Sequence, residues 1–323
     1  MKWLVCVLLL MTLVFGGETG RCEPLGTITE TRSILDINGK ELTYHVERTK
    51  GSAKLPTLMV IDGSGCLGAL RKGFIDLMSP SVFELHSFAR VTVAKRGVAP
   101  NKSSLTDCSD AFKKDYSMDF RVLDHIRVLQ HLRNNADWWN GEFLIFGWSD
   151  GGDIATEVFA LTPDASRLVF GGVGGGYSMR EHFEDFWVCP EDQVSDRASC
   201  LSELRATFDD IAATPTWGQS WSGEDNTYLA WSSRLDRRQV YLLKDEDRPV
   251  LMIHGDRDFD GAPVESARVL AKALEENVGF SYWEIDDMEH GMWSLEPELA
   301  LELESRALSW LLQGENSARV DEP

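Results

Sequence analysis

The stretch Glu142-Phe-Leu-Ile-Phe-Gly-Trp-Ser-Asp-Gly-Gly, residues 142 to 152, decides the fold. Phe143 to Phe146 form an apolar run that ends at Gly147. After Gly152 a helical spacing begins with Ile154, Ala155, Val158 and Phe159. This reads as a buried strand passing through a tight turn into a helix. Ser149 stands at the apex of the turn. Gly147 and Gly151 give strand and helix room to pass close together beside a strained residue. The helix aims its N-terminus, with its partial positive charge, at any oxyanion formed beside the serine. That combination is the context of a nucleophile elbow. In an ordinary strand-to-helix turn the serine would cap the helix instead.

Working outward, the same strand-then-helix rhythm recurs. Residues 26–50 read as a hairpin turning at Asn38-Gly39. Leu58 to Ile61 and Val91 to Ala94 are short buried strands, with a helix expected over 80–89 and a polar loop over 98–115. A helix over 117–134 leads to the elbow strand, and Leu168 to Val173 is the next strand. Residues 178–248 break the rhythm. They are acidic, carry Trp187, Trp217, Trp221 and Trp231, and lack buried strand patterns, so they read as a helical lid inserted over the sheet. An interval of about 70 residues between consecutive strands far exceeds an ordinary connection. The rhythm resumes with a strand at Pro249 to Ile253, a helix over 263–276, a strand from Phe280 to Ile285 and a last helix over 297–312. Alternating strands and helices imply a mostly parallel sheet covered on both faces, with its chemistry at the carboxyl ends of the strands. The polar or Gly-rich turns at 62–66, 95–97, 147–152, 254–258 and 287–291 all fall at such ends.

The expected organisation is a signal peptide over 1–21, a core over 26–177, the insertion over 178–248, the second part of the core over 249–313, and a polar tail over 314–323. Lys2, the apolar run Trp3 to Phe15 and the small residues Gly16, Gly17 and Gly20 have the order of an export signal. The run is short for a membrane span, an uncleaved anchor being the alternative reading. The chain has 323 residues and a formal charge of −20, which argues against nucleic-acid binding or membrane docking through a basic face. Five cysteines follow the signal. In an oxidising compartment Cys66 with Cys108, and Cys189 with Cys200, are the expected pairs, leaving Cys22. No cysteine or histidine cluster has metal-ligand spacing, and no cofactor is expected. The expected location is secreted or periplasmic.

A serine nucleophile needs a base, and the base an orienting carboxylate. Of seven histidines, His125 and His131 lie mid-helix, His45 in the hairpin, His86 in an expected helix and His182 in the insertion. His254 ends a strand and is expected to pack there. His290 alone lies in a carboxyl-end loop downstream of an acidic loop. That acidic loop, Gly255-Asp-Arg-Asp258, offers Asp258 as the acid. Asp256 is expected to pair with Arg257 or cap the loop, and Asp260 is a third candidate.

Gly147-Trp-Ser-Asp-Gly151, His254-Gly-Asp-Arg-Asp258 and His290-Gly291, in the order Ser, Asp, His, resemble the α/β-hydrolase superfamily over residues 26 to 313. The resemblance implies the α/β-hydrolase fold, with Ser149 as nucleophile, Asp258 as acid and His290 as base. It further implies an oxyanion hole made by the Asp150 N–H and an N–H of the loop Asp62-Gly-Ser-Gly-Cys66, from Ser64 or Gly65. Many relatives begin that loop with His-Gly, where this chain has Asp62-Gly63. A serine at the elbow, rather than an aspartate, sets the chain apart from the dehalogenase and epoxide-hydrolase branches. The activity so implied is an exported serine hydrolase acting on small carboxylic esters through an acyl-enzyme. A serine peptidase or aminopeptidase taking short peptides is the alternative, and a non-catalytic binding protein of the same fold a third. In the lid, Glu181, Glu184 and Asp185 are candidates for selecting cationic substrates, and the tryptophans either line a pocket or pack the lid.

Overall fold

Strands whose residues are apolar on both sides must bury both faces, and the sheet is built that way. The computed structural model describes residues 27–51, 54–71, 88–259 and 261–314. The expected signal peptide, Cys22, His86, nearly all of the expected helix over 80–89, Asp260 and the tail beyond Gly314 lie outside the described residues. Eight strands form one sheet: β1 (Thr27–Leu35), β2 (Glu41–Thr49), β3 (Leu55–Ile61), β4 (Ala89–Val93), β5 (Trp139–Trp148), β6 (Ala165–Gly171), β7 (Val250–Gly255) and β8 (Phe280–Ile285). Their spatial order is β1-β2-β4-β3-β5-β6-β7-β8. β2 runs antiparallel to β1 and β4, and all other neighbours are parallel.

Side chains alternate between two cores. Phe143 and Ile145 of β5, Met59 and Ile61 of β3, and Val250 and Met252 of β7 face one core. Leu144, Phe146, Trp148, Leu58, Val60, Leu251 and Ile253 face the other. The first core is closed by α2 (Met118–Asn135), α3 (Asp150–Ala160), α7 (Val240–Leu243) and α8 (Val264–Ala273). The second is closed by α9 (Pro297–Gln313), through Leu303, Ala307, Leu308, Trp310 and Leu311. The connections leave β3 toward one edge of the sheet and β5 toward the other. The crevice at the carboxyl ends of these two strands is therefore the topological switch point where ligands bind in open α/β sheets.

Several expected boundaries move. β3 starts at Leu55, β4 already at Ala89, and β5 extends back to Trp139. The stretch 98–115, expected as a loop, contains a short helix, α1 (Asp110–Asp115). Ser109 caps it by accepting from the Phe112 N–H at 3.1 Å, and Phe112 stacks on Tyr116 with ring centroids 4.4 Å apart. Six residues carry too little periodicity to stand out in sequence, so packing makes the helix. Between β6 and β7 lie α4 (Met179–His182), a π-helical turn (Phe183–Trp187), α5 (Arg197–Ala213), α6 (Tyr228–Ser232) and α7. Phe183, Phe208, Leu204, Ile211 and Trp231 give this segment a small core of its own.

Two disulfides are present, Cys66–Cys108 and Cys189–Cys200, at sequence separations of 42 and 11. Chain-entropy arguments assign roughly 4 kcal/mol to the longer closed loop and roughly 3 kcal/mol to the shorter. The Cys66→Ala/Cys108→Ala variant is thus expected to unfold at lower urea than the Cys189→Ala/Cys200→Ala variant. Equal midpoints would refute that ranking.

Candidate active site

At the elbow, Ser149 has φ 57° and ψ −136°, a left-handed conformation that L-residues adopt only when the surroundings impose it. Close packing imposes it. A Cβ on Gly147 would lie 2.2 Å from the Gly151 carbonyl oxygen, and one on Gly151 would lie 2.2 Å from that of Ile61. The Ser149 N–H donates to the Gly171 carbonyl at 2.8 Å, tying the turn to β6. The serine side chain makes no capping bond to α3, so its Oγ is left for the crevice.

His290 meets that oxygen. Its Nε2 lies 2.9 Å from Ser149 Oγ, and its Nδ1 lies 2.8 Å from Asp258 Oδ2. A carboxylate only accepts, which assigns the proton to Nδ1 and leaves Nε2 to accept from the serine hydroxyl. Asp258 is 1% exposed, and its Oδ1 accepts from the N–H groups of Gly261 and Ala262 at 3.0 and 2.9 Å. Burial alone would raise its carboxyl. The hydrogen bond and charge of His290, with the Ala262 N–H, outweigh burial and hold it below the usual range. The His290 carbonyl accepts from the Trp148 indole at 2.8 Å, and a Cβ on Gly261 would lie 2.0 Å from Nδ1. The loop and ring are thus fixed from both sides.

The other histidines go elsewhere. His254 is fully buried, lies 3.0 Å from the Ala262 carbonyl through Nε2, and is pushed down by burial. His125 bonds the Arg121 carbonyl at 2.6 Å, and His45 bonds Thr31 at 2.9 Å. His182 lies at a cavity beside Ser149, bonded to Ser266 at 2.9 Å and pushed down to about 4 by burial. Asp256 does not pair with Arg257, one of the two roles expected for it. Arg257 reaches Asp287 across the turn, and the buried Oδ1 of Asp256 has no partner among the described residues.

The Asp150 N–H opens α3, where helix geometry leaves it without an internal acceptor. The Asp150 side chain turns inward. It accepts from the Tyr116 hydroxyl at 2.8 Å and Arg121 at 3.0 Å, and Arg234 lies 3.3 Å away. Burial would raise this carboxyl, but the two guanidiniums and Tyr116 hold it low. These three partners come from distant segments, and no local sequence signal marks them. Ser64 lines the cavity with Ser149, whereas the Gly65 N–H is taken by the Tyr116 hydroxyl at 3.2 Å.

The cavity holds about 230 Å³, and its walls are mixed: Asp153, Asn226, Arg234, Arg237 and Gln239 line it with Met118, Val173, Met179, Trp187 and Trp231. Burial, then the charge of Asp150, pushes Asp153 well above the usual carboxylate range, and it accepts from the Gln239 amide. The acids singled out in the lid are spent elsewhere. Glu181 pairs with Arg238 at 2.5 Å, Glu184 with Arg205 at 2.7 Å and Asp185 with Arg197 at 2.5 Å, and none of the three lines the cavity. They are therefore not placed to select a cationic substrate in that cavity. The tryptophans divide: Trp187 and Trp231 line the cavity, Trp221 packs on Phe183 and Phe208, and Trp217 is exposed under Lys114.

No protein-family model matches the sequence, and no curated protein matches it. Solved structures do. The acylaminoacyl peptidase of Pyrococcus horikoshii superposes with a TM-score of 0.59 at 12% identity, over 94% of this chain and 43% of that one. A puromycin-hydrolyzing peptidase of Mycobacterium tuberculosis gives 0.59 at 15% identity, over 93% of this chain and 41% of that one. Est1E from Butyrivibrio proteoclasticus gives 0.55 at 14% identity, over 88% of this chain and 98% of that one. The chain thus spans less than half of either peptidase and nearly all of Est1E. With the sheet order and connections described, its architecture is the α/β-hydrolase fold.

Proposed function

We propose that the chain is an exported serine hydrolase that cleaves small carboxylic esters through an acyl-enzyme. One observation carries this reading: the continuous hydrogen-bond line from Asp258 through His290 to a Ser149 Oγ that does not cap its helix. In this reading Ser149 Oγ attacks the carbonyl while His290 Nε2 takes its proton, and Asp258 stabilises the imidazolium so formed. The Asp150 N–H and a donor from the loop 62–65 hold the oxyanion. His290 then returns the proton to the leaving oxygen and activates the water that releases the acid. Loss of one oxyanion donor typically lowers kcat by about 10²–10³-fold.

The acyl part would occupy the cavity beside Ser149, with the helical segment between β6 and β7 as its cap. Arg234 is paired there with Asp150, and Arg237 with Asp119 and Glu157, so polar acyl groups are favoured by hydrogen bonding rather than by net charge. A peptidase reading keeps the same three side chains. Export is supported by the two disulfides, which persist in oxidising compartments. A fluorophosphonate probe should label Ser149 and no other serine. A paired panel of acyl esters and aminoacyl amides should then show faster turnover of the esters. Labelling elsewhere sinks the mechanism, and preferred cleavage of the amides replaces esterase by peptidase.

A further inference from the structure

The loop that follows β3 is wrapped around a buried ammonium. Lys95, just past β4 and 9% exposed, places its Nζ 2.6 Å from the Gly63 carbonyl and 2.7 Å from that of Gly65. The Ser64 carbonyl lies at 3.4 Å and Asp62 Oδ2 at 3.1 Å. Three successive carbonyls thus turn toward one cation. Arg121 of α2 adds bonds to the Asp62 and Gly63 carbonyls, and the same side chain holds Asp150. Asp62 also pairs with Arg71.

In a planar trans peptide the N–H points opposite to its C=O. The Gly63 carbonyl faces Lys95, so the Ser64 N–H points away from it, and Ser64 lines the cavity with Ser149. The Ser64 carbonyl leans the same way, but the N–H of its peptide, that of Gly65, is consumed by Tyr116. We infer that Ser64, not Gly65, supplies the second oxyanion N–H, and that Lys95 is the positioning residue that turns it into the cavity. Lys95 touches no substrate. It acts by fixing three peptide planes, and Arg121 and Tyr116 lock those planes to Asp150, the other donor. Asp62, in the place where many relatives have a histidine, is the counter-charge that keeps this ammonium buried.

The inference rests on the acyl-transfer reading of Ser149. Lys95→Met is expected to lower kcat for a neutral ester about 100-fold with KM within about threefold, because only the oxyanion is misheld. It should also speed hydrogen exchange of the amides of residues 62–66. A kcat within threefold of wild type in a folded variant overturns the inference. So does a matched rise in KM, which would mark Lys95 as a substrate contact. If the variant fails to fold, the wild-type pH profile decides. Burial pushes Lys95 down to about 8, against the opposing charge of Asp62. Besides the guanidiniums of Arg71 and Arg121, the groups facing it are Asp62 and Asp150, both held low, His125, pushed to about 3, and Tyr116, pushed up to about 12. Lys95 alone in this cluster therefore changes charge between pH 7 and 10, and kcat should fall along a one-proton limb above about pH 8. A flat kcat to pH 10, with unchanged circular dichroism, overturns the inference. Wild-type protein that a fluorophosphonate does not label at Ser149 overturns the acyl-transfer reading and this one with it. Normal labelling with an indifferent Lys95→Met overturns this one alone.

Discussion

Ser149→Ala is expected to lower ester turnover by on the order of 10⁶-fold while leaving thermal unfolding close to wild type. The two halves of that expectation have separate causes. Without Oγ nothing in the crevice stands 2.9 Å from His290 Nε2 to receive the acyl group, and an oxyanion hole by itself retains only a small residual rate. Stability should hold because the turn is fixed by other contacts. The Ser149 N–H bonds Gly171, the Ser149 carbonyl accepts from Gly152, and the side chain makes no helix cap. Alanine at φ 57° is strained about as much as serine. Turnover of a chromogenic ester, measured beside a melting curve, checks both. Residual activity above about one per cent would mean that another nucleophile does the work.

Gly151→Ala is the second large effect, this time on the fold. The added Cβ would lie 2.2 Å from the Ile61 carbonyl oxygen and 2.6 Å from that of Asp62, both backbone atoms that cannot swing aside. Either α3 or the end of β3 must move. Overpacking of this kind costs about 3 kcal/mol or more when rigid backbone is the obstacle. The displacement also reaches both halves of the proposed oxyanion hole, since Asp150 precedes Gly151 and Ser64 follows Asp62 closely. Loss of stability and of turnover should therefore come together. Gly152→Ala is the control: its nearest neighbours would be Val173 Cγ1 at 3.0 Å and the Gly171 oxygen at 3.1 Å, so it should be milder. Urea midpoints rank the two, and a Gly151→Ala protein as stable as wild type would show that strand and helix have slack at their crossing.

Most of the framework was legible because its signals are local. The apolar runs in β3, β5 and β7 alternate between two cores, and a two-residue period on apolar residues admits few other readings. Gly147 and Gly151 flank Ser149 because no larger residue fits, a constraint visible within five positions. Asp258 and His290 could be singled out because strand ends in a parallel sheet gather at one edge, and the structure brings both to Ser149. The pairs Cys66–Cys108 and Cys189–Cys200 followed from the placement of their loops.

What the sequence could not decide was where charge ends up. Glu181, Glu184 and Asp185 read as free acids in a lid, yet Arg238, Arg205 and Arg197 neutralise them from 57, 21 and 12 residues away. Asp150 read only as a backbone donor, and its side chain proved to be the hinge between Tyr116, Arg121 and Arg234. Lys95 carried no motif at all. Hydrophobic periodicity and glycine sterics act between near neighbours in the chain, so the sequence by itself determined the sheet, the elbow and the three side chains that meet there. A buried charge must find a partner wherever the fold puts one. Only the tertiary structure therefore decided which acids face the cavity and how the loop after β3 is held.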